Sequence, residues 1–267
     1  MTQQVRVNDV TFSVDEAGGG PPVVFIHGWT MSGRFFRRQL DGLSGRFRVV
    51  VPDLRGHGAS EKVLRGHTVP QYADDLHAIL AELGVRRPVL AGWSMGAMVG
   101  YEYLRAYGNG AVAGLVIVDQ PPSDYAWDGY EFGVFTMDDL RDTSEQLQLD
   151  QAAVVADFTR LMLHKPDDET LEWMAAEILQ VPPVIGSTIL LDQTLRDYRG
   201  FLPQVDVPTL VLFGEDDKLT NPRAGAYIAD RIPGSRLQTF PESSHCPFWE
   251  ESGAFNDAVA AFAAGLR

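Results

Sequence analysis

Short apolar runs without polar alternation recur along this chain, each followed by a helix-length amphipathic stretch, and this rhythm restricts the fold more than any other feature. A strand that alternates polar and apolar residues keeps one wet face, whereas Val23-Val24-Phe25-Ile26 keeps none and must be covered on both sides. Strands covered on both faces and joined by helices form a parallel sheet. Val5 to Val7 and Val10 to Val14, either side of Asn8-Asp9, read as an opening hairpin. Further strands follow at Phe47 to Val51, Pro88 to Ala91, Val112 to Val118, Thr209 to Phe213 and Arg236 to Phe240. Pro70 to Leu83, Met95 to Tyr107 and Phe248 to Leu266 are spaced as helices.

Between Gln120 and Gly200 the buried-strand pattern stops. The segment reads as helices at Leu147 to Leu163, Glu169 to Leu179 and Ser187 to Tyr198, punctuated by Pro166 and Pro182-Pro183. The expectation is an α/β core from residues 1–119 and 201–267, carrying an inserted helical cap at 120–200. At 267 residues, one large core suffices.

Lys and Arg number 22 against 36 Asp and Glu, a formal charge of -14 that would repel a phosphate backbone, so nucleic acid is not an expected partner. The one cysteine, Cys246, excludes an intrachain disulfide, and the histidines lack the spacing of a zinc site. No metal or cofactor is expected. No run of about 18 apolar residues could span a bilayer, and Met1 to Arg6 does not open a secretory signal, so a cytoplasmic protein is expected. Nothing in the composition opposes a homo-oligomer.

The chemistry starts at Gly92-Trp93-Ser94-Met95-Gly96, which matches G-x-S-x-G where a buried strand meets a helix. The glycines permit a tight turn that lifts the serine hydroxyl above the strand ends, over a helix N-terminus. Such a serine needs a histidine to take its proton, and the histidine needs a carboxylate. His245 follows the last strand in a small-residue loop, where open α/β sheets place their chemistry. Three acids, Glu215, Asp216 and Asp217, leave the strand Thr209 to Phe213. Asp217 is the choice because the carboxylate must extend past the turn; Asp216 is next, and Asp119 is an alternative at a different strand end. The backbone N–H groups of Met95 and Trp29 are candidate oxyanion donors.

These elements together resemble the α/β-hydrolase family. His27-Gly28-Trp29, Asp53 to Ser60, Gly92 to Gly96, Gly214 to Asp217 and Ser244-His245-Cys246-Pro247 follow the family's order across nearly the whole chain. The elbow with a tryptophan beside it is most similar to the small bacterial aryl esterases and the cofactor-free haloperoxidases. The resemblance implies a mostly parallel eight-stranded sheet flanked by helices, Trp29 and Met95 as oxyanion donors, and a structural role for the turn Asp53 to Ser60, His57 included. Two departures stand out. Thr30 sits where peracid-forming members carry proline, which weakens the case for peroxide chemistry, and Ala97 replaces a glycine often found after the elbow.

Trp93, Trp127, Phe135, Phe158 and Trp173 are the candidate walls of an apolar pocket. The expectation is a serine hydrolase cleaving a carboxylic ester or lactone with a hydrophobic acyl or alcohol part. Perhydrolysis with halide oxidation, carbon–carbon bond hydrolysis and hydroxynitrile lysis are rival reactions on the same triad. A ligand-binding receptor or scaffold is the rival of another class.

Overall fold

The computed structural model describes residues 1–266. Its chain runs β1 (Thr2–Val7), β2 (Val10–Ala17), β3 (Pro22–Ile26), α1 (Arg37–Leu43), β4 (Arg48–Pro52), α2 (Val69–Glu82), β5 (Val89–Trp93), α3 (Met95–Tyr107) and β6 (Gly114–Val118). Four helices follow: α4 (Met137–Leu149), α5 (Gln151–Leu161), α6 (Asp168–Ile178) and α7 (Pro183–Thr194). The core then resumes with β7 (Thr209–Gly214), α8 (Ala224–Ala229), β8 (Arg236–Phe240), α9 (Pro247–Glu250) and α10 (Ser252–Ala264).

The eight strands form one sheet in the order β1-β2-β4-β3-β5-β6-β7-β8. β1 and β2 pair antiparallel through a two-residue turn in which Asn8 and Asp9 both take positive φ, as residue types tolerant of that region should. β2 also runs antiparallel to β4, and every later pairing is parallel. Side chains alternate between two cores. Val24, Ile26, Leu90, Ile117 and Val211 join the residues of α2 and α3, while Val23, Phe25, Ala91, Val116 and Leu212 pack with those of α10. β1 and β8 are the edges, and the exposed Arg236, Gln238 and Thr239 of β8 discourage another strand from adding there.

From β3 the chain steps outward to β4, then crosses back to place β5 on the other side of β3. The adjacent carboxyl ends of β3 and β5 therefore flank a topological switch point, where open sheets leave a crevice for ligands.

Three helices differ from the sequence expectation; the one expected at Ser187 to Tyr198 is α7, which begins four residues earlier at Pro183, a first-turn position that suits proline, and ends at Thr194. The run Leu147 to Leu163 is not one helix: Asp150 leaves helical geometry, at φ -150 and ψ 75, and its carboxylate caps α5 by accepting from Ala153 N at 3.1 Å. The residues before it belong to α4, which a Thr136–Asp139 capping box starts. Similarly, Phe248 to Leu266 breaks at Glu251, whose Oε2 takes bonds from Glu242 N and Ser243 Oγ. No single helix among the described residues is long and apolar enough to cross a membrane.

Candidate active site

Ser94 sits between β5 and α3 with φ 54 and ψ -129, a backbone region that L-residues occupy only under constraint. The constraints are visible. Ser94 N donates to Val118 O at 2.9 Å, and its carbonyl accepts from Ala97 N at 2.8 Å in the first turn of α3. A Cβ on Gly96 would run into the Ile26 carbonyl, and one on Gly28 would lie 3.1 Å from Ser94 Cβ. β3, its following loop and the elbow are therefore in backbone contact. The N–H groups of Trp29 and Met95, on either side of this contact, donate to no protein acceptor among the described residues.

His27 fixes the loop that carries Trp29. Its Nε2 accepts from Leu54 N at 2.9 Å, so its proton lies on Nδ1, which donates to Gly28 O at 2.9 Å. Burial pushes this imidazole down to about 4, and it is neutral at neutral pH.

His245 Nδ1 lies 2.9 Å from Asp217 Oδ2, and both residues are buried. Burial alone would raise the Asp217 carboxyl, but the adjoining His245, the Thr220 hydroxyl and the Leu219 N–H outweigh it and hold it below the usual carboxylate range. An ionised Asp217 only accepts, so Nδ1 of His245 carries a proton, and the neutral tautomer with that proton has its lone pair on Nε2. The backbone of His245 is held as well: its N–H donates to Met162 O of the inserted segment at 3.0 Å, and its carbonyl accepts from Trp93 Nε1 at 2.8 Å. Ser94 and His245 line one cavity without a direct hydrogen bond between their side chains among the described residues.

The rival acids are elsewhere or otherwise engaged. Glu215 accepts from the Thr239 hydroxyl, and Asp216 pairs with His164 Nδ1 at 2.7 Å. Asp119, at the end of β6 with φ 42, is fully buried behind Asp217 and accepts from Gly214 N at 3.0 Å. Complete burial, then the charge of Asp217, drives its carboxyl well above the normal range. Of the two carboxyls Asp119 holds the proton, because Asp217 has the imidazole and three other donors to stabilise its charge. Ligand atoms of Asp119, Asp217 and His245 lie within 4.8 Å of one another, close enough for a metal ion. Both oxygens of Asp217 are already filled by these donors, so a metal there would have to displace them.

The cavity measures about 240 Å3. Its apolar walls include Trp29, Phe135, Val154, Phe158, Leu161 and Leu190, with Trp29 edge-on to Phe158 at 5.4 Å. Of the five aromatic residues expected as pocket walls, Phe135 and Phe158 line this cavity. Trp93, Trp127 and Trp173 do not. Trp93 is fully buried under the His245 loop against Phe248, 4.6 Å between ring centroids. Trp127 donates to Ser123 Oγ and lies under Arg199. Trp173 stacks on Trp249 at 4.9 Å with Arg37 over both rings, fastening the inserted segment to the core. Tryptophan is as useful for packing as for a pocket wall, and proximity in sequence does not separate the two.

The turn Asp53 to Ser60 lies outside the cavity. Asp53 accepts from Gly33 N and Ala59 N, Arg55 forms a buried bidentate pair with Asp75, and His57 packs on His27 at 5.1 Å. Sequence reading missed the polar part of the cavity, Gln120, Asp124 and Gln193. They belong to no motif and fall in the segment read for apolar periodicity alone.

Known proteins agree with this architecture. Residues 21–252 match the family model described as alpha/beta hydrolase fold. The AB hydrolase superfamily protein YisY of Bacillus subtilis is 30% identical over 258 residues, covering 95% of each chain. The bifunctional esterase/perhydrolase DCH of Acinetobacter calcoaceticus is 30% identical over 255 residues, covering 91% of each. Among solved structures, an esterase from Exiguobacterium antarcticum superposes with a TM-score of 0.94 at 25% identity, over 99% of this chain and 100% of that one. A buried parallel sheet, a strained serine at its switch point and a family match over most of its length make this chain a member of the α/β-hydrolase fold family.

Proposed function

We propose that the protein is a cofactor-independent serine hydrolase that cleaves a carboxylic ester or lactone through an acyl-enzyme. The observation that carries this reading is the meeting of Ser94 and His245 in one largely apolar cavity, with the imidazole held by Asp217 in the tautomer a general base needs. Ser94 Oγ attacks the carbonyl as His245 Nε2 takes its proton, and the imidazolium is stabilised by Asp217. The developing oxyanion is met by the N–H groups of Trp29 and Met95, and such a donor is worth about 2.7–4 kcal/mol to the transition state. His245 then protonates the departing alcohol, and water attacks the acyl-enzyme with the same base.

The inserted segment acts as a cap, and its aromatic and aliphatic walls favour a small substrate with a hydrophobic acyl or alcohol part. The net charge of -14 is unsuited to nucleic acid, and a single buried thiol, Cys246, suits the reducing cytoplasm. A fluorophosphonate probe should label the native chain and fail on Ser94→Ala. An ester, thioester and lactone panel run on both proteins tests the activity, and equal turnover by the two would refute the assignment. A relative named for both esterase and perhydrolase activity supports a second reading, peroxide-dependent perhydrolysis at the same serine. Bromination that requires peroxide and a carboxylic acid, and is lost in Ser94→Ala, would support it.

A further inference from the structure

Within the hydrophobic cavity stands a carboxylate that the proposed reaction does not use. Asp124 is 4% exposed and lines the same cavity as Ser94 and His245. Its Oδ1 accepts from Gln120 Nε2 at 2.6 Å and its Oδ2 from Gln193 Nε2 at 3.2 Å. It has no ion-pair partner among the described residues, and its only direct hydrogen-bond donors there are two neutral amides. Each oxygen keeps a second lone pair. Gln193, also on the cavity wall, leaves its own Oε1 without a partner.

A carboxylate placed this way is costly to bury, because desolvation is only partly repaid by neutral donors. Burial pushes its pKa up to about 6, against the opposing influence of Gln120, Gln193 and His245. The group thus remains largely ionised at neutral pH. A role in holding the chain is already filled by the backbone of Asp124, whose carbonyl accepts from Val134 N at 2.7 Å and Phe135 N at 2.9 Å. The side chain adds to the cavity an acceptor that an asparagine, with one oxygen, would supply only in part.

Building on the ester-hydrolase reading, we infer that Asp124, seated between Gln120 and Gln193, is a specificity residue for substrates whose non-reacting part carries an N–H or O–H donor. The donor meets the free lone pairs of the carboxylate while the apolar remainder lies along Phe158 and Leu190. A purely hydrocarbon substrate would leave the charge in contact with alkane, and buried polar groups left without a partner discriminate strongly.

Two ester series test this. One holds methyl esters of straight-chain acids of about four to eight carbons, with their ω-hydroxy and ω-ammonio counterparts; the other holds acetates of matching alcohols. In wild type, the best donor-bearing ester of one series should exceed its alkyl counterpart in kcat/KM by about tenfold or more. The hydroxy and ammonio arms separate a neutral donor from a cation. Asp124→Asn should cut that ratio at least about fivefold, and Asp124→Leu should abolish it, mainly through KM, with donor-bearing esters losing and alkyl esters gaining. Labelling of Ser94 by the fluorophosphonate checks that each variant is folded, and the isosteric Asp124→Asn decides the matter if Asp124→Leu is not. Preference for alkyl esters at every length, or an equal loss on both substrate types in Asp124→Asn, would overturn the inference while leaving the hydrolase intact. Wild type that neither cleaves any ester nor labels at Ser94 would overturn both.

Discussion

The backbone of Ser94 makes a prediction about stability that does not depend on any substrate. At φ 54 and ψ -129 the residue lies where only glycine is comfortable, and a non-glycine residue there costs on the order of 1–3 kcal/mol. Ser94→Gly releases that strain and gives back roughly 0.5–1 kcal/mol in glycine's greater unfolded freedom. The net expectation is a stabilisation of roughly 1 kcal/mol, about 2–4 °C in Tm for a chain near this size. Ser94→Ala keeps the Cβ and the strain. Because the hydroxyl makes no hydrogen bond to another described residue, alanine should stay within about 0.5 kcal/mol of wild type. The assay is urea unfolding followed by tryptophan fluorescence, with equal m-values required before midpoints are compared. A Ser94→Gly protein no more stable than Ser94→Ala would refute the claim that Ser94 is held in a stressed turn.

Other expectations concern the acids and histidines behind the serine. Asp217→Asn should reduce kcat by about 10^4-fold with the fold intact, since an amide can present its N–H to His245 and favour the wrong tautomer; kcat within tenfold of wild type would move the acid's role elsewhere. Asp119→Asn should be nearly silent, within about threefold in kcat/KM, because the amide, like a protonated carboxyl, is uncharged and can accept from Gly214 N; a loss like that of Asp217→Asn would show that Asp119 acts as a charge. His27 is neutral in the folded protein, with its pKa lowered from 6.5 to about 4, whereas the unfolded chain takes up a proton below about 6.5. Its contribution is therefore present above pH 6.5 and is lost as pH falls toward 4, about 3 kcal/mol at about 1.4 kcal/mol per pH unit. Burial depresses His57 and His67 in the same direction. Urea stability measured from pH 7 to 4 should fall steeply, and a flat profile would contradict this.

The strands were legible in sequence because burial on both faces removes polar alternation, a signal local to four or five residues. Val23 to Ile26 and Thr209 to Phe213 needed no tertiary knowledge. The elbow was equally plain, since its tight turn depends on glycines at fixed offsets from Ser94. What sequence could not show depends on what lies opposite. α4 was missed at its start because Leu140 and Leu147 are its only buried side chains, too few to mark a face. Trp93 faces away from the cavity because strand alternation sends it to the opposite core from Leu90, and that parity was readable but was overridden by its nearness to Ser94. Asp124 carries no sequence signal at all: among many surface acids, only coordinates distinguish the one turned inward.

The bond from His245 N to Met162 O has a bearing on motion. Neighbouring atoms reinforce it, with Ser244 Oγ on Leu161 O and Lys218 Nζ on Leu163 O, both at 2.9 Å. Residues 161–163 are thus moored to the loops bearing His245 and Asp217. If that stretch lifted to admit a molecule, it would drag the imidazole of His245 away from the cavity with it. A movement that admitted a molecule while keeping that imidazole in place would therefore have to leave this seam shut.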